Sequence, residues 1–470
     1  MVTDPPLSHT AHARAVLVLG LPLVGSHLAQ IAITVTDTLM LGRYGVEALA
    51  AGVLAHTVFF TVFVVGAGYA FAVMPMVAKA AAAGDATQVR RVTRMGLWLS
   101  VLYAAVVFPL FWASEPLLRG LGQEPEIAAL ASDYLRIAAF GMLPSLLGMV
   151  MKSYFSALER AQAVLWVSAA GALANVGLNW VLIFGNLGFP EMGVRGAAVA
   201  SLLTVAGMLA GFIAIAVLAL PEHRLFQRLW KPDWEAFFAV FRLGWPIGLT
   251  HLAESGLFSA ATMMMGWIGT VELAAHGIAL QLASITFMVH IGLSQAATVR
   301  TGRAWGRGDA VNLMRGGVMA LVASAAFVGV TILLFLTLPE PLMGLFLDPS
   351  DPDRPAVIGV GVMLLALAAL FQLADAAQVM ALGLLRGVQD TRVPMVMAGV
   401  SYWLIGAPAS AGLGIWLGWG AAGVWLGLVA GLGAAALMLM ARFWGQRLWL
   451  GQMGLESDAA AATSGPAPAA

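Results

Sequence analysis

The 470-residue chain has no cysteine, and only 10% of its residues are charged. Without a thiol there is neither a disulfide framework nor a thiolate metal site. Lysine is scarce too: Lys79, Lys152 and Lys231 are the whole complement and none follows a glycine, so the sequence holds no phosphate-cradling P-loop. Primary ATP-driven transport would need a separate subunit. Also missing are a Gly-x-Ser-x-Gly nucleophile elbow and a His-Glu-x-x-His metal helix, so a membrane hydrolase or acyltransferase has no evident constellation. The formal net charge is +0, which gives no basic surface for nucleic acid. The expectation is a protein that is not an enzyme, with no catalytic residue and no cofactor.

What is present is apolar: 60% hydrophobic residues, 53 glycines and a mean hydropathy of +0.88. That composition describes a polytopic helical membrane protein. With about 20 apolar residues as the unit of a span, helices are expected near 16–42, 48–74, 92–114, 129–154, 162–185 and 195–220. A second six follow near 240–267, 273–299, 314–338, 356–385, 394–416 and 420–445. The first stretch runs on from a polar start without a compact leader pattern and reads as a retained helix. The longest polar connection, 221–239, divides an N-lobe, 1–220, from a C-lobe, 240–447. The tail, 448–470, has no apolar periodicity and is expected to be disordered.

Basic residues gather in the even loops: Lys79, Arg90, Arg91 and Arg94; Arg160; Arg224, Arg228 and Lys231; Arg300, Arg303, Arg307 and Arg315; Arg386 and Arg392. The odd loops hold little beyond Arg43, Arg119, Arg195 and Arg354, and collect Glu124, Glu126, Asp348, Asp351 and Asp353. By the positive-inside rule both termini and the even loops are cytoplasmic.

The two halves are copies. Gly20 to Gln30 matches Gly244 to Glu254 at an offset of 224, aligning Pro22 with Pro246 and His27 with His251. The same offset pairs Lys79 with Arg303, Gly84-Asp85 with Gly308-Asp309, Arg91 with Arg315, and Gly196-Ala197-Ala198 with Gly420-Ala421-Ala422. Six helices is an even number, so both copies insert in the same sense, as parallel repeats with a path between them. The fold class is therefore an all-α membrane protein of twelve transmembrane helices in two parallel six-helix repeats.

Three carboxylates interrupt the apolar spans: Asp37, Glu254 and Asp375. Each costs at least about 2.5 kcal/mol at the centre of a membrane helix, so each needs a compensating role. Their repeat mates are Ala261, Gln30 and Met151, so the scaffold is duplicated and the charges are not. Groups needed only for packing equivalent halves would tend to recur in both, whereas a single ion site needs its groups once. Gln30, Thr34 and Asp37 share one helical face, as do Gln372, Asp375 and Gln378; Asn175 and Asn179 form a similar pair, and His251 stands three residues before Glu254. These stripes should face an interior cavity. The plain alternative is hydrogen-bond glue between helices, worth only about 0.6 kcal/mol per bond. His27, His56, His276 and His290 also fall in spans, where a packing hydrogen bond is the usual role, and Lys152, near a helix end, fits a snorkelling one. Pro22 and Pro246 suit either a helix start or a bend.

At this point the residues carry a resemblance. TDTLMLG in the first helix, PMVAKAAAAGD before the third, NVGLNWVLIFGNLGFPEMGVRGAAVA, FRLGWPIGLTHLAE, ELAAHGIAL and DAAQVMALGLLRGVQDTRVPM together resemble the multidrug and toxic compound extrusion (MATE) family in its NorM-type bacterial branch, from about Ala15 to Arg447. The resemblance implies a V-shaped two-lobe bundle in the bacterial inner membrane and efflux of amphipathic organic cations against protons or sodium ions. It points to Asp37 as an ionisable N-lobe residue and to Glu254 with Asp375 as a C-lobe cation site, a candidate for sodium. Gln30, Thr34, Asn175, Asn179, His276, Gln372 and Gln378 are the supporting polar candidates. The chain has Phe371 before the tenth-helix acid and Gly277 after His276, where relatives can have Tyr and Gln, so the coupling ion stays open between H+ and Na+. The expected partners are small-molecule cations and membrane lipids, in a monomer. The alternative is a related flippase for lipid-linked or polysaccharide precursors, which would be expected to line its cavity with Arg and Lys.

Overall fold

The structure, a computed structural model, describes residues 7–350 and 352–445. Twelve of its helices are long and apolar enough to cross a membrane. In chain order they are α1 (His9–Tyr44), α2 (Val46–Ala82), α3 (Ala86–Trp112), α4 (Pro125–Ala157), α5 (Ala161–Phe184), α6 (Gly193–Ala219), α7 (Trp234–Ile268), α8 (Thr270–Gly306), α9 (Ala310–Thr337), α10 (Arg354–Gly387), α11 (Arg392–Trp416) and α12 (Gly420–Trp444). There is no strand among the described residues. All twelve expected spans are present, and this is a multi-pass membrane protein.

Several helices outrun their apolar segments. α2 and α8 each have 37 residues, about 55 Å at 1.5 Å per residue, against a hydrocarbon core of about 30 Å. The excess lies at the even-loop end, where charged residues continue the helix beyond the apolar slab. The expectation for 221–239 needs the same correction, because α7 already begins at Trp234. Pro22 and Pro246 lie well inside α1 and α7, which removes the helix-start reading. The tail expected to be disordered, 448–470, lies outside the described residues.

The duplication is visible contact by contact. Within the first half α1 packs on α5, α2 on α3 and α4, and α6 on α4 and α5; within the second, α7 packs on α11, α8 on α9 and α10, and α12 on α10 and α11. The turns repeat too. Gly84 at φ 73° ends α2 and Asp85 caps α3 by accepting from the Gln88 N–H at 2.8 Å. Gly308 at φ 68° and Asp309, which accepts from the Asn312 N–H at 2.9 Å, do the same between α8 and α9. A glycine at positive φ followed by an Asp cap stops one helix and starts the next in two residues.

The halves meet at the even-loop end and part toward the other. One apolar core joins both there, from Leu19, Val77 and Tyr154 to Leu243, Ile247 and Val299. Toward the odd-loop end the core splits, one part around Leu41, Phe111 and Ile183 and the other around Met265, Leu364 and Trp425. Gly248 of α7 lies against the Val65 and Gly68 backbone of α2, and Gly292 of α8 lies against the Val24 backbone of α1. These two contacts are each other's repeats, since Val24 corresponds to Gly248 and Gly68 to Gly292. Polar seams reinforce the closed end: Glu159 faces Arg300 at 3.6 Å and Arg303 at 3.5 Å, and Arg91 holds Asp233 at 2.5 Å and Glu235 at 2.7 Å. The result is a V that opens on the odd-loop side.

Candidate functional site

In the first half the V exposes one stripe of α1. Val24 is in contact with α8, but Gln30, about one and a half turns further out, is exposed and Asp37 is half-buried. An amide or carboxylate at this depth is tolerated where it lines a cavity, not where it faces lipid. Asp37 reaches into the half behind it. Its Oδ1 accepts from Asn179 Nδ2 at 2.5 Å and its Oδ2 from Ser201 Oγ at 2.9 Å, while the same Asn179 nitrogen donates to Asn175 Oδ1 at 3.1 Å. Tyr134 of α4 adjoins Ser201 and Asp37. All these neighbours are neutral. Among the described residues no Lys or Arg pairs with Asp37, and Asn179 Oδ1 is buried with no hydrogen-bond partner.

The second half carries its acids deeper. Glu254 of α7 is 7% exposed and Asp375 of α10 is 2% exposed. Glu254 Oε1 accepts from Gln378 Nε2 at 2.5 Å, and Gln378 Oε1 accepts from the Tyr402 hydroxyl. An ionised carboxylate only accepts, which fixes the amide nitrogen toward Glu254 and leaves the amide oxygen to accept from the Tyr402 hydroxyl. On its other side Glu254 Oε2 lies 3.7 Å from His251 Nδ1, and His251 Nε2 is 3.1 Å from the Arg386 guanidinium. Arginine only donates, so Nε2 accepts and the neutral ring carries its proton on Nδ1, toward the carboxylate. Phe71 of α2 closes the cluster, its ring 5.6 Å from His251. Asp375 Oδ1 is buried without a partner. By formal charge alone Glu254, Asp375 and Arg386 sum to minus one. No three His, Cys, Asp or Glu side chains among the described residues converge to hold a metal ion, so a sodium ion here would need amide or carbonyl oxygens as well.

Of the candidates named by sequence, Asp37, Asn175 and Asn179 come together, as do Glu254 and Gln378, with Asp375 adjoining them. Others go elsewhere. Gln30 turns to Lys152, whose Nζ donates to its Oε1 at 3.2 Å. Gln372 faces α8, donating to Thr286 Oγ1 at 2.6 Å. His276 accepts from the Trp425 indole N–H at 3.1 Å and meets Thr262 at 3.1 Å. Thr34 sits half-buried between Gln30 and Asp37. Lys152 does not snorkel: it is 8% exposed and points inward. Ser201, Tyr134 and Tyr402 were not singled out in the sequence. Tyr402 lies in a widened turn, Ser401–Gly406, within α11, a local irregularity that often marks functional sites.

The MatE family model matches residues 22–181 and again 246–411, starting at Pro22 and at its repeat mate Pro246. A protein of Rhizobium meliloti (strain 1021) named "Probable multidrug resistance protein NorM" is 48% identical over 405 residues, 85% of this chain and 86% of its own. One of the same name from Agrobacterium fabrum is 47% identical over 403 residues, covering 84% and 86%. Among solved structures, a eukaryotic MATE transporter superposes with a TM-score of 0.84 at 17% identity, over 95% of this chain and 98% of its own. An outward-facing MATE family transporter does so with a TM-score of 0.83 at 20% identity, over 94% and 100%. With two copies of the family model aligned on the two structural repeats, the chain belongs to the MatE, or multidrug and toxic compound extrusion, family.

Proposed function

We propose that this protein is a multidrug efflux antiporter that exports amphipathic organic cations in exchange for protons or sodium ions. The observation that carries the reading is Asp37, a half-buried carboxylate of α1 turned into the first half and held by neutral donors alone. An anion so placed attracts a cation strongly, because the low dielectric around it weakens that attraction little. The curated relatives' names, which speak of multidrug resistance, support the same cargo class. The Glu254 and Asp375 cluster, one negative charge in excess, is the seat of the coupling cation.

The basic residues at the closed end make that end cytoplasmic and put both termini inside, in a bacterial inner membrane. The V is then the outward-open state. Cargo enters from the cytoplasm when the halves rock the other way, and the coupling cation neutralises carboxylates in the outward state, lowers their affinity for the drug and biases the return. The moving units are the two lobes, 1–220 and 240–447, with the monomer as the complete device. In a flippase for anionic head groups the wall of the V would be basic; here the stripe of α1 presents an amide and an acid.

The test is efflux of a cationic dye from proteoliposomes under an imposed pH gradient and, separately, a sodium gradient. Gradient-driven export that Asp37→Asn abolishes, in protein that still inserts and melts as the parent does, is the expected outcome. Export at parental rate by that variant would remove Asp37 from the mechanism.

A further inference from the structure

A groove on the second half has no part in the proposed cycle. It runs between α7 and α11, encloses about 530 Å³ and is lined by apolar residues, among them Leu249 and Leu252 of α7 and Val396, Val400 and Trp403 of α11. Its floor is open at Gly399, where an added Cβ would meet nothing within 4 Å. The one polar atom of Trp403 is already taken, its indole N–H donating to the Ala253 carbonyl at 3.2 Å. At 3.6 residues per turn Leu249 and Ala253 lie on the side of α7 opposite His251, so the groove points away from the Glu254 cluster and toward lipid.

The even-loop end of this groove carries two bases. Arg242 stands seven residues before Leu249, and Arg392 stands four before Val396 and seven before Gly399, so each lies on the groove face of its own helix. The Thr391 hydroxyl donates to the Leu243 carbonyl at 3.1 Å, which pins the start of α11 beside Arg242. Both arginines are exposed, and neither belongs to an ion pair among the described residues. The nearest acids along the chain are occupied, Asp390 by Arg442 and Asp233 and Glu235 by Arg91. Two guanidinium groups without an anion thus share one mouth. The repeat mate of Arg242 is Val18, so the duplicated scaffold does not require the charge.

The dimensions are those of one leaflet. From Arg392 to Trp403 the helix advances eleven residues, about 16 Å at 1.5 Å per residue, roughly half of a hydrocarbon core of about 30 Å. Both arginines fall where the apolar segments of α7 and α11 begin, which is headgroup depth, and the apolar groove continues from them to acyl-chain depth. Basic pockets between membrane helices on the cytoplasmic side suit anionic headgroups, and a guanidinium holds a phosphate through paired N–H donors.

We infer that the groove between α7 and α11 binds an anionic phospholipid of the cytoplasmic leaflet, with its phosphate between Arg242 and Arg392 and one acyl chain laid along Gly399 toward Trp403. The site lies outside the cleft and does not depend on the identity of cargo or coupling ion. Its occupant braces the helices that carry the cation cluster, because Trp403 follows Tyr402, the donor to Gln378, and Ala253 precedes Glu254.

The experiment titrates phosphatidylglycerol into the full-length protein in an uncharged detergent and follows the melting temperature, with phosphatidylcholine of the same chains for comparison. Phosphatidylglycerol is expected to raise the melting temperature saturably, and phosphatidylcholine to leave it in place. In Arg242→Gln with Arg392→Gln the half-saturating concentration should rise about tenfold or more, the loss of two charge-assisted contacts. Arg14→Gln with Arg160→Gln, which removes two exposed bases at the same end of the first half, should respond as the parent does. Equal responses to the two lipids, or a groove variant that responds like the parent, overturn the inference. An equal loss in the Arg14 and Arg160 variant does so too, because the effect would then be one of general surface charge. Should the groove variant fail to fold, Gly399→Leu decides, since it keeps both bases and fills the floor. Loss of the phosphatidylglycerol response in Gly399→Leu supports the site, and a parental response overturns it.

Discussion

Asp37 is a half-buried carboxylate whose hydrogen bonds come from neutral groups alone. A buried acid is usually matched with Arg or Lys, and the pair then neutralises itself. Here Asn179 and Ser201 satisfy both oxygens without adding charge, so the side chain is oriented and its charge remains available. Asp37→Asn keeps the size and loses the charge, so efflux of a cationic dye should fall at least tenfold while the melting temperature hardly moves. A large drop in melting temperature would instead assign Asp37 to the scaffold. The residue scale is also where the sequence ran out. The acids were legible because their burial cost is steep enough to show in composition alone. Ser201 carries no such cost, since a serine hydroxyl in a helix can bond the carbonyl one turn back, and Tyr402 reads as one more aromatic in an apolar span, so only the packing of α6 and α11 against the acids reveals them. Lys152 was visible but misread, because a lysine near a helix end and one turned inward look the same without its neighbour Gln30.

At the scale of elements, the twelve helices and their duplication could be read from apolar length and a constant offset. Their ends could not, since apolar length reports the edge of the hydrocarbon and helices such as α2 continue past it in water. The contacts between helices are set by glycine, and two glycines separate a packing role from a neutral one. Gly248 has the Val65 carbonyl where a Cβ would go, whereas Gly177 of α5 has nothing near it. Gly248→Ala should therefore cost about 1–3 kcal/mol by overpacking. Gly177→Ala should gain up to about 1 kcal/mol of helix propensity. Equal melting temperatures for the two variants would show that the α2–α7 contact is looser than described. At the same end, the hydrogen-bonded Arg91 guanidinium holds the Asp233 carboxyl below the usual carboxylate range, and Asp233 also caps α7. A depressed carboxyl stabilises fully above its unfolded value near 3.9 and loses that stabilisation as pH falls through the lower folded value. Asn caps about as well as Asp, so Asp233→Asn should cost up to about 1 kcal/mol at pH 7 and progressively less below about pH 4. A deficit that persists undiminished in acid would show that the ion pair is not its source.

For the whole molecule, the decisive relation is that the halves are joined at one end only. If transport requires that joint to open, fixing it must stop transport, and the sequence makes the experiment clean because it contains no cysteine to compete. A Cβ at Gly302 of α8 would stand 3.3 Å from the Ala78 Cβ of α2, a small outward shift short of the about 3.5–4.5 Å that a disulfide spans. Those residues belong to opposite halves at the closed end, and Gly302 also has the Pro75 carbonyl at 3.3 Å, so the pair reports a tight approach. In the double variant Ala78→Cys with Gly302→Cys, mild oxidation should form the cross-link rapidly while this end is closed and halt gradient-driven efflux. Reduction should restore it, and each single variant should be indifferent to oxidant. The joint is thereby tested as a moving part, because a static scaffold contact would tolerate the bridge. Full efflux by quantitatively cross-linked protein would mean that cargo crosses with this end shut, and rocking of the two halves about it would have to be abandoned.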